Sequence, residues 1–598
     1  MIFIIKRDGR KVPFSKEKIE SAILKAFKSI DFSVDTYAVT KAENIANYIE
    51  KVAQTKTLTV EEIQDMVESG LMKTKRQDVA REYITYRHER QKARENRSKF
   101  MQNIKQKLGA TSVQNQNANV DERSFGGRKG EADSVMMKKI ALDEFISPKA
   151  RYLHENNEVY IHDLDSYAVG MHNCLSVPFD KLLANGFNTR QTDVRPANSV
   201  NTAFQLVAVI FQLQSLQQFG GVSATHLDWT MVPYVRKSFW KHFSDGLKYI
   251  EDSKDDHFLL GMDTSKMPIE PYYNPTVDED AASMVMTAKC CTKAYKYAMD
   301  MTEKEIRQAV EGMYHNLNTL QSRSGNQLPF TSINYGTCPL PEGRMVIKAL
   351  LEGSIKGVGK FHKTPIFPCG IFQYMKGVND KPGTPNYDMY RLALQSTAKR
   401  LYPNYANVDW SGNAGYDRND PKTYFSTMGC RTANGFDVNG FGQLKDGRGN
   451  ICPVTIIMPT LAMEAISQDD EDPVEYFMKL LDTRIYDAKD MLIERFEWIC
   501  SQDPASAKFM YENGTMEGYI PEEGIRSALK HGTLAVGQIG LAETLQILIG
   551  KDHTTNSGME LAKRIEQLFK DRCAEFKQKY SLNFGVYYTP KRFGLGVA

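Results

Sequence analysis

The sequence has few of the features that mark membrane, secreted or disulfide-rich proteins. No stretch approaches the roughly 18 consecutive apolar residues of a membrane span, and residues 1–7 (MIFIIKR) do not begin a basic leader with a sustained apolar core. The nine cysteines are odd in number and include no Cys-x-x-Cys pair, which argues against structural zinc and a disulfide framework. We therefore predict a cytoplasmic protein with no membrane partner and no metal site.

Charge of one sign is also lacking. The 598 residues contain 76 Lys and Arg against 73 Asp and Glu, a formal net charge of +3. Such a balance gives no general reason to expect direct binding to nucleic acid. Hydrophobic residues make up 41% of the chain, enough for a large core, and the length exceeds that of one ordinary domain.

Residues 1–92 are predicted to form a small separate domain. The apolar segment Phe3–Ile5, a turn with Asp-Gly chemistry, and a second apolar segment at 12–14 predict a β-hairpin. Ser15 stands where the cap of a following helix is expected.

Two further motifs predict helix starts. Thr59 followed by Glu62, and Thr302 followed by Glu305, both fit the capping box, in which the two side chains satisfy each other's backbone N–H groups. Apolar residues at helical spacing follow each motif. We therefore expect one helix to begin at Thr59 and another at Thr302.

The rest of the chain is predicted to be a linker followed by a large α/β domain. Residues 93–135 are expected to be a linker or extended segment, because a basic stretch is followed by a polar, turn-rich one; a solvated helix face is the simpler interpretation of the basic residues. Beyond them, apolar segments such as 330–335, 365–373 and 453–459 alternate with amphipathic helical patterns. This alternation predicts an α/β fold with a mainly parallel sheet.

Four groups of residues are candidates for chemistry. Cations beside a glycine turn suit a triphosphate, although an exposed hairpin tip is the simpler interpretation. This first group consists of Lys6, Arg7, Asp8, Gly9, Arg10 and Lys18.

The other three groups contain two cysteines and a glycine-rich segment. Cys174, after His172-Asn173, and Cys430, in Met428-Gly429-Cys430-Arg431, are either redox thiols or small buried residues. His531-Gly532-Thr533 precedes an apolar helical run and could expose helix-start amides to a phosphate; tight packing of a glycine-rich helix against a strand is the alternative.

Taken in order, these segments resemble a known family. Residues 1–92 are similar to an ATP-cone, the nucleotide-binding regulatory module of ribonucleotide reductases, through 5–10 (IKRDGR), 59–63 (TVEEI) and 83–87 (YITYR). The remainder resembles the anaerobic, class III ribonucleoside-triphosphate reductases. The motifs that carry this resemblance are 115–119 (NQNAN), 154–157 (HENN), 160–165 (YIHDLD), 172–174 (HNC), 218–221 (QFGG), 322–323 (SR), 329–337 (PFTSINYGT), 428–431 (MGCR) and 531–533 (HGT).

The resemblance implies a ten-stranded α/β barrel, usually a homodimer, that reduces ribonucleoside triphosphates to deoxyribonucleoside triphosphates. Cys174 would become the thiyl radical on a central finger loop, and Cys430 would supply reducing equivalents, with formate or a small redoxin as reductant. The cone residues would bind ATP or dATP as effectors. The implied substrate-binding residues are Asn173, Met428, Ser332, Asn334, Asn450, His531, Gly532 and Thr533.

The resemblance also implies a glycyl radical, made by a radical S-adenosylmethionine activase, and a zinc site, for which the sequence offers no residues. Residues 591–598 form an atypical tail, so we expect the barrel at 136–590 to be incomplete at its C-terminal end. A C-terminal fragment acting in trans, read-through into intervening sequence, and an inactive truncation are the alternatives. The competing function is a catalytically silent nucleotide-binding or regulatory protein.

Overall fold

The computed structural model describes residues 2–6, 9–109, 121, 123–250, 261–270, 279–321, 327–428, 432–468 and 472–588. The chain divides into two compact units, Met1–Gln106 and Lys107–Ala598. Within the described residues, no helix combines the length and apolarity needed to cross a bilayer.

The α-helices, in chain order, are α1 (Lys16–Asp31), α2 (Thr36–Thr55), α3 (Val60–Met72), α4 (Gln77–Gly109), α5 (Phe125–Ile140), α6 (Pro148–Glu155), α7 (Phe179–Asn185), α8 (Val200–Ser215), α9 (Leu227–Thr230), α10 (Val232–Tyr249), α11 (Glu279–Cys290), α12 (Thr292–Thr319), α13 (Pro341–Lys356), α14 (Tyr387–Arg400), α15 (Met458–Ile466), α16 (Pro473–Cys500), α17 (Lys508–Glu512), α18 (Arg526–Leu529), α19 (Leu541–Ile549) and α20 (Asn556–Tyr580). The strands are β1 (Phe3–Ile5), β2 (Lys11–Pro13), β3 (Leu58–Thr59), β4 (Val159–Ile161), β5 (Cys174–Ser176), β6 (Phe187–Asn188), β7 (Asp193–Val194), β8 (Val222–Ala224), β9 (Thr331–Tyr335), β10 (Cys369–Tyr374), β11 (Asn404–Asn407), β12 (Thr427–Met428), β13 (Thr432–Ala433), β14 (Gly449–Ile457), β15 (Thr533–Ile539) and β16 (Asn583–Tyr588).

The N-terminal unit is a three-stranded sheet packed with helices. Strand β1 pairs with β2 antiparallel and with β3 parallel, so the predicted hairpin is confirmed. Ser15 caps α1 by accepting a hydrogen bond from the Lys18 N–H. Ile23 and Phe27 of α1 are fully buried in the core of the unit.

The two capping-box predictions had opposite outcomes. The Glu62 N–H donates to Thr59 Oγ1 at 3.2 Å and the Thr59 N–H donates to Glu62 Oε2 at 2.7 Å, so α3 begins where predicted. The prediction at Thr302 is wrong, because α12 begins ten residues earlier. Thr302 is fully buried inside that helix, where packing decides the structure and a start motif has no effect.

The expectation of an extended segment over residues 93–135 is also wrong for much of its length. Helix α4 continues to Gly109, and α5 starts at Phe125. The basic stretch consists largely of Lys, Arg, Gln and Glu, which favour helix, and no proline interrupts it. The predicted domain boundaries remain predictions.

The large unit is built on a nine-stranded sheet in the order β11-β10-β9-β8-β5-β14-β15-β16, with β4 paired to β14. The run from β5 to β11 is parallel, and so is the run from β14 to β16. The two runs meet in an antiparallel pairing of β5 with β14. The α/β class with a mainly parallel sheet is confirmed, while the tenth strand and the closure of a barrel remain predictions.

Candidate active site

Cys174 is the first residue of β5, at the junction between the two parallel runs, so the expectation that it lies on a finger loop is wrong. It is 7% exposed. Its thiol donates to Asn173 Oδ1 at 3.2 Å, and its sulfur accepts from the Gly221 N–H at 3.2 Å. The Asn173 N–H in turn donates to Ile451 O of β14 at 2.8 Å. The thiol is therefore held in a fixed orientation, largely shielded from water.

Two glycines allow neighbouring segments to close around Cys174. A Cβ on Gly220 would lie 2.0 Å from Asn173 Oδ1, and a Cβ on Gly449 would lie 2.0 Å from Cys174 O. Any larger residue at either position would push its segment away from the thiol.

A row of polar side chains runs from Cys174 across two neighbouring strands. Cys174 pairs with Asn450 of β14, and Asn450 pairs with Thr533 of β15. Directly paired residues place their side chains on the same face of a sheet. We call Cys174, Asn450 and Thr533 the catalytic row.

Two members of the catalytic row have unsatisfied polar groups. Asn450 is fully buried, and within the described residues neither its amide nitrogen nor its oxygen has a hydrogen-bond partner. The Thr533 hydroxyl is also buried and has no hydrogen-bond partner within the described residues. Unpaired buried groups of this kind are costly, and a molecule bound beside Cys174 would meet them.

Met428 belongs to a short two-stranded hairpin. Strand β12 ends at Met428 and pairs with β13, and it packs against β5, β8 and β9. Met428 is 1% exposed. Cys430, with its neighbours Gly429 and Arg431, lies outside the described residues.

Ser332 and Asn334 both lie on β9 and are fully buried. The Asn334 amide donates to Thr427 O at 3.0 Å and accepts from the Thr427 N–H at 3.1 Å. Ser223 of β8 also donates to Thr427 O, at 2.9 Å. Sequence reasoning missed Ser223, although a polar residue inside a short buried strand was an available signal.

His531, Gly532 and Thr533 lead into a strand, so the prediction that they begin a phosphate-binding helix is wrong. Residues Thr533–Ile539 form β15 and are buried throughout, and the helix that follows starts at Leu541. The alternative, a glycine-rich helix packed tightly against a strand, is wrong for the same reason, although Gly532 does lie close to β14: a Cβ there would be 2.7 Å from Ile451 Cγ1.

The His531 side chain contacts other side chains of the protein. Its Nδ1 lies 2.8 Å from Asp437 Oδ2, and its ring stacks on Phe441 with centroids 3.9 Å apart. Asp437 Oδ1 accepts from Asn583 of β16 at 2.7 Å. Arg448, which is fully buried, donates from Nε to His531 O at 2.8 Å. These contacts fix the start of β15 and thereby the position of Thr533.

A buried ionic chain, not foreseen from the sequence, follows β8. His226 Nε2 lies 3.1 Å from Asp180 Oδ2, and its Nδ1 lies 2.6 Å from Thr225 Oγ1, which donates to Asp446 Oδ1 at 2.5 Å. Burial opposes the charge of His226, but Asp180 and Asp446 outweigh burial and raise the pKa of His226 to about 9. Burial raises the pKa of Asp446 to about 6.

The candidate effector residues lie around the first hairpin and the start of α1. The Gly9 N–H donates to Lys6 O at 2.9 Å, and Gly9 adopts a φ of +82°, so the turn requires glycine there. Lys6, Gly9, Arg10 and Lys18 are exposed. Arg7 and Asp8 lie outside the described residues. In the part of the chain that is described, no group of three or more His, Cys, Asp or Glu side chains is arranged to hold a metal ion.

Comparisons with known proteins match both units. The family model described as anaerobic ribonucleoside-triphosphate reductase matches residues 116–591, and the ATP cone domain model matches residues 2–92. The anaerobic ribonucleoside-triphosphate reductase of Salmonella typhimurium (strain LT2) is 29% identical over 596 residues, covering 98% of this chain and 76% of that protein.

A phage relative and a solved structure extend the comparison. The enzyme of the same name from Enterobacteria phage T4 is 28% identical over 484 residues, covering 80% of this chain and 70% of its own. The crystal structure of the anaerobic ribonucleotide reductase from Thermotoga maritima in complex with dATP and CTP has a TM-score of 0.50 and 15% identity, covering 77% of this chain and 69% of its own. The last similarity shows the shared fold.

Proposed function

Because the chain belongs to the family of anaerobic ribonucleoside-triphosphate reductases, we propose that Cys174 carries the thiyl radical that begins the reduction of a ribonucleoside triphosphate. A carbon–hydrogen bond of ribose resists acid–base side chains, and a sulfur radical can both take the hydrogen and return it. The burial of Cys174 supports this role, since a radical intermediate must be protected from water and side reactions.

The proposed step balances as follows. The Cys174 thiyl radical takes the 3′ hydrogen of the ribose and becomes a thiol. The 2′ hydroxyl gains one proton and leaves as water. The reductant then supplies two electrons and a second proton. Finally, the Cys174 thiol returns its hydrogen to the 3′ carbon. Cys430 would pass on the reducing equivalents, with formate or a small redoxin as their source.

The observation that carries the proposal is the catalytic row. Asn450 offers two amide hydrogens and an oxygen, and Thr533 offers a hydroxyl, none of them paired within the described residues. These groups stand beside the Cys174 thiol on one face of the sheet. Ribose hydroxyls have the matching donors and acceptors, so we propose that the row orients the sugar against the sulfur.

The other expected substrate-binding residues divide into two roles. Asn173, whose oxygen accepts from the Cys174 thiol, would hold the sulfur in place, while Met428 and Ser332 would line the pocket. His531 and Gly532 would set the position of Thr533 through the contacts described above, without touching the substrate.

Regulation and partners complete the proposal. ATP or dATP would bind at the exposed cations of the first hairpin, as expected of an ATP-cone. The enzyme would act as a homodimer. The initial radical would come from a glycyl radical made by a radical S-adenosylmethionine activase.

The test is anaerobic turnover of CTP with an activase, a glycyl-radical segment supplied in trans, and formate or a redoxin. We expect dCTP from the wild-type chain and none from Cys174→Ala. The control is Cys338→Ala, because Cys338 is another fully buried thiol, packed against Gly343 and far along the chain from the row. Product from Cys174→Ala would overturn the role of Cys174, and no product from any chain would favour the catalytically silent alternative.

A further inference from the structure

Strand β12 is held from one side by side chains of two neighbouring strands, which we call the hairpin anchor: Ser223 of β8 and Asn334 of β9. Both donate to Thr427 O, at 2.9 and 3.0 Å. The Thr427 N–H donates back to Asn334 Oδ1 at 3.1 Å. Both backbone polar groups of Thr427 are therefore satisfied by the anchor.

The Asn334 amide nitrogen has no hydrogen left for a ligand. Besides Thr427 O, its nitrogen donates to Ala224 O at 2.9 Å and lies 3.2 Å from Ser223 Oγ. Its two hydrogens thus face three acceptors, and its oxygen has a backbone donor. The residue is fully buried. A substrate could accept a hydrogen bond from this nitrogen only by displacing one of its present acceptors.

The hairpin is also held at its other end. Asn434, one residue beyond β13, donates to Lys445 O and to Arg448 O, each at 3.0 Å. Both carbonyls lie just before β14, the strand that pairs with β5. The two attachments fix Met428 against the strands that carry Cys174 and Asn450.

We propose that Asn334 is a positioning residue, which sets the place of β12 and Met428 in the active site and makes no contact with the substrate. This inference rests on the proposed function only for the identity of the pocket. It assigns opposite roles to two buried asparagines of the same sheet, because Asn450 is left with unpaired groups and Asn334 is not.

The test measures substrate binding and hairpin order separately on the full chain. Anaerobic equilibrium binding of CTP reports the pocket, and the rate of Met428 oxidation by dilute peroxide, followed by peptide mass spectrometry, reports the hairpin. Met375, which is 2% exposed, serves as the internal reference for general loosening. The variants are Asn334→Ala, Ser223→Ala and Asn450→Ala.

We expect Asn334→Ala to bind CTP within about twofold of wild type and to oxidise Met428 about tenfold faster, with Met375 unchanged. A tenfold change corresponds to about 1.4 kcal/mol, the scale of a lost buried hydrogen bond. Ser223→Ala removes one bond and should raise the Met428 rate about threefold. Asn450→Ala should weaken CTP binding about tenfold and leave the Met428 rate unchanged.

The matched control is Asn386→Ala. Asn386 is another fully buried asparagine whose amide bridges backbone carbonyls, those of Gly336 and Cys338, and among the described residues its side chain makes no hydrogen bond to β12. We expect it to change neither readout, although it loses comparable hydrogen bonds.

Two results would overturn the inference. If Asn334→Ala weakens CTP binding as much as Asn450→Ala does, Asn334 contacts the substrate. If neither Asn334→Ala nor Ser223→Ala changes the Met428 rate, the anchor does not position the hairpin. A failure of the proposed function has a different signature, since a wild-type chain that does not bind CTP would still give the Met428 rates.

Discussion

The catalytic row and the hairpin anchor are built from similar residues on one sheet and differ in a single respect. Each contains a buried asparagine and a buried hydroxyl, Asn450 with Thr533 and Asn334 with Ser223. The anchor side chains form hydrogen bonds with the Thr427 backbone, whereas Asn450 and Thr533 have polar groups without partners among the described residues. Residue type and burial therefore do not distinguish the two asparagines, whereas their hydrogen bonding does.

The largest expected effect is a difference in sign between two identical substitutions. Leucine has the branching of asparagine without its polar atoms. Asn334→Leu would remove the side-chain acceptor of the Thr427 N–H and one donor each from Thr427 O and Ala224 O, so we expect a loss of about 3 kcal/mol in the free energy of unfolding. Asn450→Leu removes groups that already lack partners and should be neutral or stabilising by about 1 kcal/mol.

Denaturant titrations of both variants beside wild type measure this difference. Because the two sites lie in one unit, the same transition reports both. The comparison fails if Asn450→Leu destabilises the chain as much as Asn334→Leu does, since Asn450 would then have partners of its own.

How far the sequence could be interpreted depends on the distance along the chain between interacting groups. The Thr59 capping box joins residues three apart, and it was predicted correctly. The same motif at Thr302 failed because the helix depends on packing that the motif does not encode. The buried run at β15 could not be distinguished from a helix, since strands buried on both faces lack the alternation that identifies a strand.

The site was predictable in part for the same reason. The polar residues of the QFGG, TSINYG and HNC motifs could be identified as candidates from their resemblance to a family. Which of them have partners could not, because the bond that satisfies Asn334 comes from Thr427, 93 residues away along the chain. The ionic chain of Asp180, His226 and Asp446 also joins distant segments, and no local pattern pointed to it.

A pH titration sharpens the comparison, because Asn450 and Thr533 do not titrate while His226, beyond the anchor strand β8, does. The pKa of His226 is raised to about 9 in the folded state by Asp180 and Asp446, against burial. Asp228 and Lys422, which approaches Asp180 at 3.7 Å, also act on this cluster. Folding therefore favours the protonated form of His226.

The sign of the effect follows directly. The stability contributed by His226 is complete below its unfolded pKa of roughly 6.5 and is lost as pH rises toward about 9. The pKa of Asp446 is raised to about 6, so the stability that its protonated form contributes is lost as pH rises toward about 6, mostly below this window. Between these two limits we expect wild type to lose about 2 kcal/mol more than His226→Gln, measured by denaturation midpoints at both pH values. Parallel losses in the two proteins would show that His226 is not the group responsible.

The smallest expected effect concerns the second member of the catalytic row. Thr533→Val keeps the shape of the side chain and removes a hydroxyl that has no partner within the described residues, so unfolding should become harder by about 0.5 kcal/mol. Binding of CTP should weaken about fivefold, because one hydrogen bond to the sugar is lost. The control is Thr230→Val, since the Thr230 hydroxyl donates to Asp180 at 2.5 Å and its removal should cost stability without changing CTP affinity. If Thr533→Val is the destabilising variant, the row is satisfied in the free protein and is not prepared for a ligand.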